Sequence, residues 1–211
     1  MDLSYRGTNA GVLARPDRER LRVGVACALH RGALRQQIAR FRRQAPDVDL
    51  MIEDLDEADL DAGLTDGRLD LAIAPYGARG WRSSPLWSEP LLVFMAEGHR
   101  LSADNAVNAA SLTEIPIILA GGGALEQAIV AALGGRPRFL HYAVQRDNLF
   151  DLVGMGFGVT LAGSSMMGAV YPGVCARPLE SEAGWLSYCA YWAGQNERPA
   201  LRRFLEARDD A

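Results

Sequence analysis

Hydrophobic and polar positions in the first third of the chain alternate between strand and helix periods. The run LRVGVA at 21–26 is typical of a buried strand, and an apolar stripe with helical spacing follows it. Two further strand patterns lie at 48–52 and 69–74, and a short helix between them is predicted to end at Gly67 in a left-handed conformation. Short connections between such elements predict parallel strands, whose carboxyl ends form a binding crevice.

The rest of the chain repeats this order of strand and helix patterns. Strands are predicted at 90–96, 115–120, 138–144, 159–162 and 185–193. Helices are predicted to begin near Leu125, Leu149 and Pro199. Ser111 and Glu114 have the spacing of a capping box before a brief helix. This repetition predicts two α/β lobes of about 100 residues each, with a ligand cleft between them.

Composition places the chain among globular proteins of a reducing compartment. Its 211 residues are 49% hydrophobic, which is enough for one substantial core or two small ones. The net charge of -4 disfavours a surface that tracks nucleic-acid backbones. The three cysteines form no C-x-x-C pair, and no apolar run has the length of a membrane span or a signal-peptide core. We therefore expect a soluble cytoplasmic protein with no membrane partner, in which residues 1–20 form a lead-in or linker.

Four segments carry a family resemblance. They are, in chain order, LRVGVACALHRGALRQQIARFRRQAPDVDL, EADLDAGLTDGRLDLAIAP, LWSEPLLVFMAEGHRL and DNLFDLVGMGFGVTLAGSS. Together they resemble the successive signature segments of the effector-binding domain of LysR-type transcriptional regulators, over residues 20–208. The resemblance implies an α/β fold that is type 2 periplasmic-binding-protein-like, with two Rossmann-like lobes joined by two crossover segments near 84–92 and 180–190. A small effector is expected to bind between the lobes.

The resemblance also implies how the chain is divided and what it assembles with. Lobe I is expected to comprise residues 21–88 plus 188–211, and lobe II residues 89–187. Family members begin with a winged helix-turn-helix and a linker helix, whereas only the lead-in precedes the first predicted strand here. We expect DNA contact only through this missing N-terminal domain. We also expect a homodimer that pairs the first helix with the second strand, and a tetramer in the full-length protein. Whether the DNA-binding domain was excised or the product lacks it stays open.

The first candidate site is the loop after the first predicted strand, at Cys27, Ala28 and Leu29. The resemblance implies Ser or Thr hydroxyls for the effector here, but this chain has Ala26, Cys27 and Ala28. We predict that backbone N–H groups at the start of the following helix hold a ligand carboxylate instead. The alternative, that Cys27 is a small buried apolar residue, carries equal weight.

An acidic run follows the second predicted strand, with six acids in the nine residues EDLDEADLD at 53–61. Asp54 and Asp56 are candidate contacts to an amine or hydroxyl of the ligand. The favoured interpretation is that one of them caps the next helix by accepting its free N–H groups. Tyr76, after the third strand, and Thr160, in a strand of the second lobe, are further predicted ligand contacts.

The second lobe offers two more candidate junctions between a strand and a helix. Gly121 and Gly122 allow a ligand to approach the backbone closely, although LAGGGALEQ lacks the spacing of a nucleotide-binding loop. Gln145 and Arg146 stand at the other junction. Arg146 is the preferred partner for a ligand carboxylate, because its guanidinium binds such a group bidentately. An ion pair of Arg146 with Asp147 or with a crossover acid is the alternative.

Catalytic and metal chemistry find little support in the sequence. The segment GSSMMG at 163–168 is not a G-x-S-x-G motif, and His30, His99 and His141 are too far apart for metal-ligand spacing. Every basic residue other than histidine is an arginine, which excludes a Schiff base on lysine. We expect no cofactor, no metal and no enzymatic activity.

These observations predict an effector-sensing domain of a LysR-type regulator. It would bind a small carboxylate-bearing ligand in the interlobe cleft and control the geometry of a DNA-bound oligomer. The alternatives are a free-standing solute-binding protein and an enzyme on a similar two-lobed fold.

Overall fold

The structure is a computed structural model that describes residues 18–77, 80–196 and 198–207. Its strands are β1 (Glu19–Val25), β2 (Val48–Asp54), β3 (Leu71–Pro75), β4 (Arg82–Ala96), β5 (Val107–Asn108), β6 (Ile117–Leu119), β7 (Phe139–His141), β8 (Thr160–Gly163), β9 (Val174–Glu180) and β10 (Trp185–Trp192). Its α-helices are α1 (Ala33–Gln44), α2 (Glu57–Thr65), α3 (Ala124–Leu133), α4 (Arg146–Gly154) and α5 (Pro199–Glu206). No helix in the described ranges is long and apolar enough to cross a bilayer. Most of the predicted lead-in, residues 1–17, lies outside the described residues.

The first predicted unit is confirmed as a parallel β-α-β-α-β arrangement. β1 lies between β2 and β3 and pairs in parallel with both. Leu21 lies opposite Leu50, and Val23 lies opposite Leu71. Gly67, just beyond the end of α2, has the predicted left-handed conformation with φ of 71°. The carboxyl ends of β1, β2 and β3 therefore meet at one edge of the sheet.

The last helix packs against the first. Phe204 of α5 and Phe41 of α1 are both fully buried and meet edge to face, with ring centroids 5.2 Å apart. Gln37, which is also buried, donates from Nε2 to the carbonyl oxygen of Phe204 at 2.9 Å. The two ends of the described chain therefore share one core in lobe I.

β4 begins eight residues before the strand predicted at 90–96. Its first half is a strand because it pairs with a distant segment, which local sequence does not reveal. From Arg82 to Pro90 it pairs with β10 in an antiparallel arrangement. From Leu91 onward it pairs with β8 and β9 instead. β10 also pairs with β3 of the first unit. β4 and β10 therefore join the two lobes.

The second lobe differs from the predictions in two places. β9 pairs with β4 and β5, but its side chains are mostly half-buried and an arginine-proline pair interrupts its apolar period, so the pattern does not predict it. The predicted capping box at Ser111 and Glu114 is wrong. The short 3-10 turn there spans Ala109–Leu112, and Asn108 caps it by accepting a backbone N–H at 2.9 Å.

Candidate functional site

Most of the predicted site residues line one cavity of about 510 Å³ between the two lobes. Nine of the eleven line it, namely Cys27, Ala28, Asp54, Asp56, Gly121, Gly122, Gln145, Arg146 and Thr160. Leu29 packs against the main hydrophobic core instead. Tyr76 is 66% exposed. Pro75 lines the cavity, but Tyr76, which follows the end of β3, does not line it.

The loop before α1 is irregular, which changes the chemistry it can offer. α1 begins at Ala33, after Gly32 with φ of 92°, so Cys27, Ala28 and Leu29 do not belong to a helix start. The predicted use of helix-terminal N–H groups at these three residues is therefore wrong. Any backbone contact from this loop comes from single amides and lacks the partial charge of a helix terminus.

Cys27 combines the two interpretations that the sequence left open. It is 5% exposed and packs in the main hydrophobic core, yet it also lines the cavity. Burial raises the pKa of its thiol, and the nearby Arg146 only partly opposes this effect. Cys27 is therefore a neutral thiol at the cavity wall, and it lacks the thiolate character of a reactive cysteine.

The acidic run supplies both a helix cap and an ion pair across the cleft. Asp56 is the N-cap of α2 and accepts the backbone N–H of Asp59 at 2.8 Å, which confirms the favoured interpretation for this residue. Asp54 binds Arg146 of lobe II at 3.2 Å. The alternative interpretation of Arg146, an ion pair within the chain, is therefore found with Asp54 as the partner, whereas Asp147 accepts the hydroxyl of Tyr171 at 3.1 Å.

Glu57 forms a second contact across the cleft, which the sequence does not reveal. Its two carboxylate oxygens accept the backbone N–H of Ala124, the first residue of α3, at 3.1 and 3.3 Å. Gly123 permits this approach, since it has φ of 108° and a Cβ atom there would lie 2.7 Å from Glu57 Oε2. The glycine run 121–123 therefore admits a carboxylate of the chain itself. The acidic run indicates that acids lie near the cleft. Which of them contacts the opposite lobe depends on how the two lobes are placed.

Two buried residues that line the cavity carry neutral hydroxyl groups. Thr160 is 2% exposed and lines the cavity. Tyr188, in β10, is 4% exposed and stacks on Trp87 with ring centroids 4.9 Å apart. Burial raises the pKa of Tyr188 well above its usual range, and the charge of Glu89 adds to this effect. Both hydroxyls therefore remain neutral hydrogen-bonding groups.

Glu89 is a buried carboxylate beside the cavity that sequence analysis also misses. It lies in β4 and is 7% exposed. It accepts the backbone N–H of Ser165 at 2.8 Å and the Ser165 hydroxyl at 2.9 Å, and the Ser164 hydroxyl at 3.3 Å. The GSSMMG segment therefore holds a carboxylate of the strand that joins the lobes. Neither its charge nor its position in a predicted crossover segment indicates in the sequence that Glu89 accepts hydrogen bonds from Ser164 and Ser165.

Nearly the whole chain matches a known protein family. Residues 14–210 match the family model of the LysR substrate binding domain. The chain belongs to this family. The HTH-type transcriptional regulator XapR of Escherichia coli (strain K12) is 26% identical over 209 residues, an alignment that covers 92% of this chain and 68% of XapR.

Solved structures of LysR-type regulatory domains have the same fold. The reduced form of the OxyR regulatory domain from Pseudomonas aeruginosa has a TM-score of 0.73 and 22% identity, covering 90% of this chain and 96% of that one. The BenM effector-binding domain with its effector benzoate has a TM-score of 0.71 and 19% identity, and 90% of each chain is covered. The type 2 periplasmic-binding-protein-like fold expected from the sequence is thereby confirmed.

Proposed function

We propose that the chain is the effector-sensing domain of a LysR-type transcriptional regulator and binds a small molecule between its lobes. The observation that carries this proposal is the cavity of about 510 Å³, whose wall combines residues from both lobes. The membership of the family and the benzoate-bound domain of BenM support it. We assign residues 1–20 to a lead-in, 21–88 plus 188–211 to lobe I, and 89–187 to lobe II.

Signalling would follow from the position of the effector between the lobes. A ligand that contacts both lobes favours one interlobe angle, and it can shift that equilibrium only by its difference in affinity for the two states. We propose that a cytoplasmic homodimer transmits this angle to DNA-binding domains, and that the full-length protein is a tetramer. The position of β2 at the edge of the sheet supports pairing of α1 with β2 across the dimer.

Binding is favoured over catalysis by the state of the nucleophile candidates. The Cys27 thiol is buried and neutral, and the hydroxyls of Ser164 and Ser165 are directed to the carboxylate of Glu89. A catalytic serine needs a neighbouring base that can accept and return its proton. Glu89 instead acts as a hydrogen-bond acceptor that joins β4 to the segment after β8.

A ligand screen tests the proposed function. We expect small molecules that fit the cavity to raise the thermal midpoint of unfolding and to reduce the radius of gyration in X-ray scattering, because a bridging ligand favours closed lobes. In Ala162→Trp an indole ring replaces a methyl group on the cavity wall and occupies ligand space, so this variant should lose both responses. If no member of a chemically diverse library changes either quantity, the proposed function is wrong.

Cys27→Ser should change ligand preference without preventing folding. The serine hydroxyl adds a stronger hydrogen-bonding group at the cavity wall, and burying it lowers stability by about 1–3 kcal/mol. Cys189→Ser is the matched control, since Cys189 is equally buried but does not line the cavity. Thermal shifts across one ligand set measure both variants. An unchanged ligand ranking in Cys27→Ser would assign Cys27 to the core alone.

A further inference from the structure

One short segment of lobe I contacts the starts of two helices of lobe II. Asp54, the last residue of β2, accepts Nη2 and Nη1 of Arg146, the first residue of α4, at 3.2 and 3.4 Å. Three residues later, Glu57 accepts the backbone N–H of Ala124, where α3 begins, at 3.1 Å. Both contacts join groups of the chain itself, so they need no ligand. We call these two contacts, Asp54 with Arg146 and Glu57 with Ala124, the cleft latch.

The cleft latch lies on the side of lobe I that is farthest from the strands joining the lobes. β2 is at the edge of the sheet, and the order β2-β1-β3-β10 separates it from β10 by three strand spacings. At about 4.8 Å per spacing, this gives a lever arm of about 14 Å. A rotation of the lobes about β4 and β10 therefore moves these partners more than it moves groups beside those strands. Adding about 1 Å to their distances breaks both hydrogen bonds.

Gly123 leaves room for the carboxylate of Glu57. It has φ of 108°, and a Cβ atom at this position would lie 2.7 Å from Oε2 and 3.0 Å from Oε1 of Glu57. A side chain here would push α2 away from α3. The start of α3 also carries partial positive charge, which stabilises a carboxylate at the N–H of Ala124. The chain therefore has a glycine at the point where an acid of lobe I reaches lobe II.

The two contacts of the cleft latch are weak singly and are connected to each other. The side chains of Arg146 and Asp54 are 33% and 59% exposed, so solvent and salt screen this pair. Asp56 lies between the two acids and caps α2 by accepting the backbone N–H of Asp59 at 2.8 Å. Because this cap fixes the backbone that carries both acids, a rotation that opens one contact also opens the other.

We propose that the cleft latch favours closed lobes before an effector binds, and so sets the fraction of molecules in the closed state. An effector that prefers closed lobes binds with an apparent affinity proportional to this fraction. Loss of the latch lowers the fraction, so the effector would bind more weakly and cause a larger compaction. This role in sensing rests on the proposed function, whereas closure of the latch does not.

Hydrogen exchange of the Ala124 amide, measured by NMR without ligand, reports on the cleft latch. The first N–H groups of a helix have no partner within the helix, so protection of this amide requires the Glu57 carboxylate. We expect exchange at least about threefold faster in Glu57→Ala, which removes the acceptor. Asp54→Ala should have a similar effect although Glu57 is retained, because the two contacts open together. Both variants should have a larger radius of gyration than the wild type.

Glu53→Ala is the matched control for these variants. Glu53 lies next to Asp54 in β2, but its ion-pair partner is Arg68 of the same lobe. The exchange rate of Ala124 and the radius of gyration should therefore stay at their wild-type values. High salt screens the latch, so it should speed exchange of Ala124 in the wild type and change it little in Glu57→Ala.

The outcomes separate this inference from the proposed function. A wild-type Ala124 amide that exchanges as fast as in Glu57→Ala overturns the inference and leaves effector sensing in place. Exchange and a radius of gyration that Asp54→Ala does not change also overturn it, because the contacts then do not act as one latch. Confirmed protection together with a ligand screen that finds no binder would contradict effector sensing and leave the latch in place.

Discussion

Replacing Asp70 with asparagine is expected to lower the free energy of unfolding by about 1.5–3 kcal/mol, because it weakens the charge-assisted hydrogen bonds between a buried carboxylate and two partly exposed guanidinium groups. Asp70 is 5% exposed and precedes β3. Its carboxylate accepts the backbone N–H of Arg22 at 2.9 Å, and Nε and Nη2 of Arg22 at 3.1 and 3.0 Å. Nη1 of Arg198 adds a bond of 2.7 Å. Asparagine keeps the shape but leaves two guanidinium groups without their counter-charge.

The pH dependence of this effect follows from the lowered pKa of Asp70. Burial alone would raise that pKa, but the hydrogen bonds and charges of Arg22 and Arg198 outweigh burial and hold it below its usual range. The stabilisation is therefore present above the unfolded-state pKa of about 3.9 and is lost as the pH falls through the folded-state value. The difference between wild type and Asp70→Asn should shrink at the acid end of a pH series.

Urea unfolding at neutral pH measures the size of the effect, and an exposed ion pair provides its control. Asp49→Asn removes the pair between Asp49 and Arg18, whose side chains are 23% and 34% exposed. Such a pair contributes about 1 kcal/mol or less. Equal losses in Asp70→Asn and Asp49→Asn would show that the Asp70 network does not hold β1, β3 and the segment before α5 together.

Local sequence predicts the helices and strands whose buried apolar residues recur at the period of that element. β1 and α1 are examples, since their apolar residues face the core at the spacing of the element that contains them. The first half of β4 and most of β9 have half-exposed side chains, and they become strands by pairing with distant segments. Pairings between segments far apart in sequence leave no local period to detect.

For the candidate site, the sequence predicts where residues lie but not which charged groups pair with each other. Cys27 follows the carboxyl end of β1 and Arg146 begins the helix after β7, and chain order alone predicts such positions at a cavity for parallel strands. Thr160 is instead the first residue of β8, which is antiparallel to β4. The partners of the charged groups depend on how the lobes approach each other. Asp54 with Arg146, and Glu57 with the start of α3, are contacts between lobes, so no spacing in the sequence could specify them.

Gly163→Ala is expected to destabilise the domain by about 2–4 kcal/mol, because its added methyl group would overlap the carboxylate of Glu89. A Cβ atom at position 163 would clash with Glu89 Oε1 and lie 2.5 Å from its Cδ. Glu89 would have to move, and the backbone N–H of buried Ser165 would lose its acceptor. Gly163 has φ of -64°, so backbone strain does not contribute and the cost is steric and polar alone.

Two further variants identify Glu89 as the group that opposes the methyl group at 163. Gly121→Ala is the matched control on the cavity wall, since a Cβ atom there meets nothing within 4 Å, and it should change stability by no more than about 0.5 kcal/mol. Glu89→Ala removes the obstructing carboxylate, so adding Gly163→Ala to it should cost little more. Urea unfolding of the wild type, Gly163→Ala, Glu89→Ala and the double variant gives the coupling free energy between positions 89 and 163. Additive losses would place the clash elsewhere, whereas strong coupling shows that position 163 is a glycine because β4 directs a buried carboxylate across it.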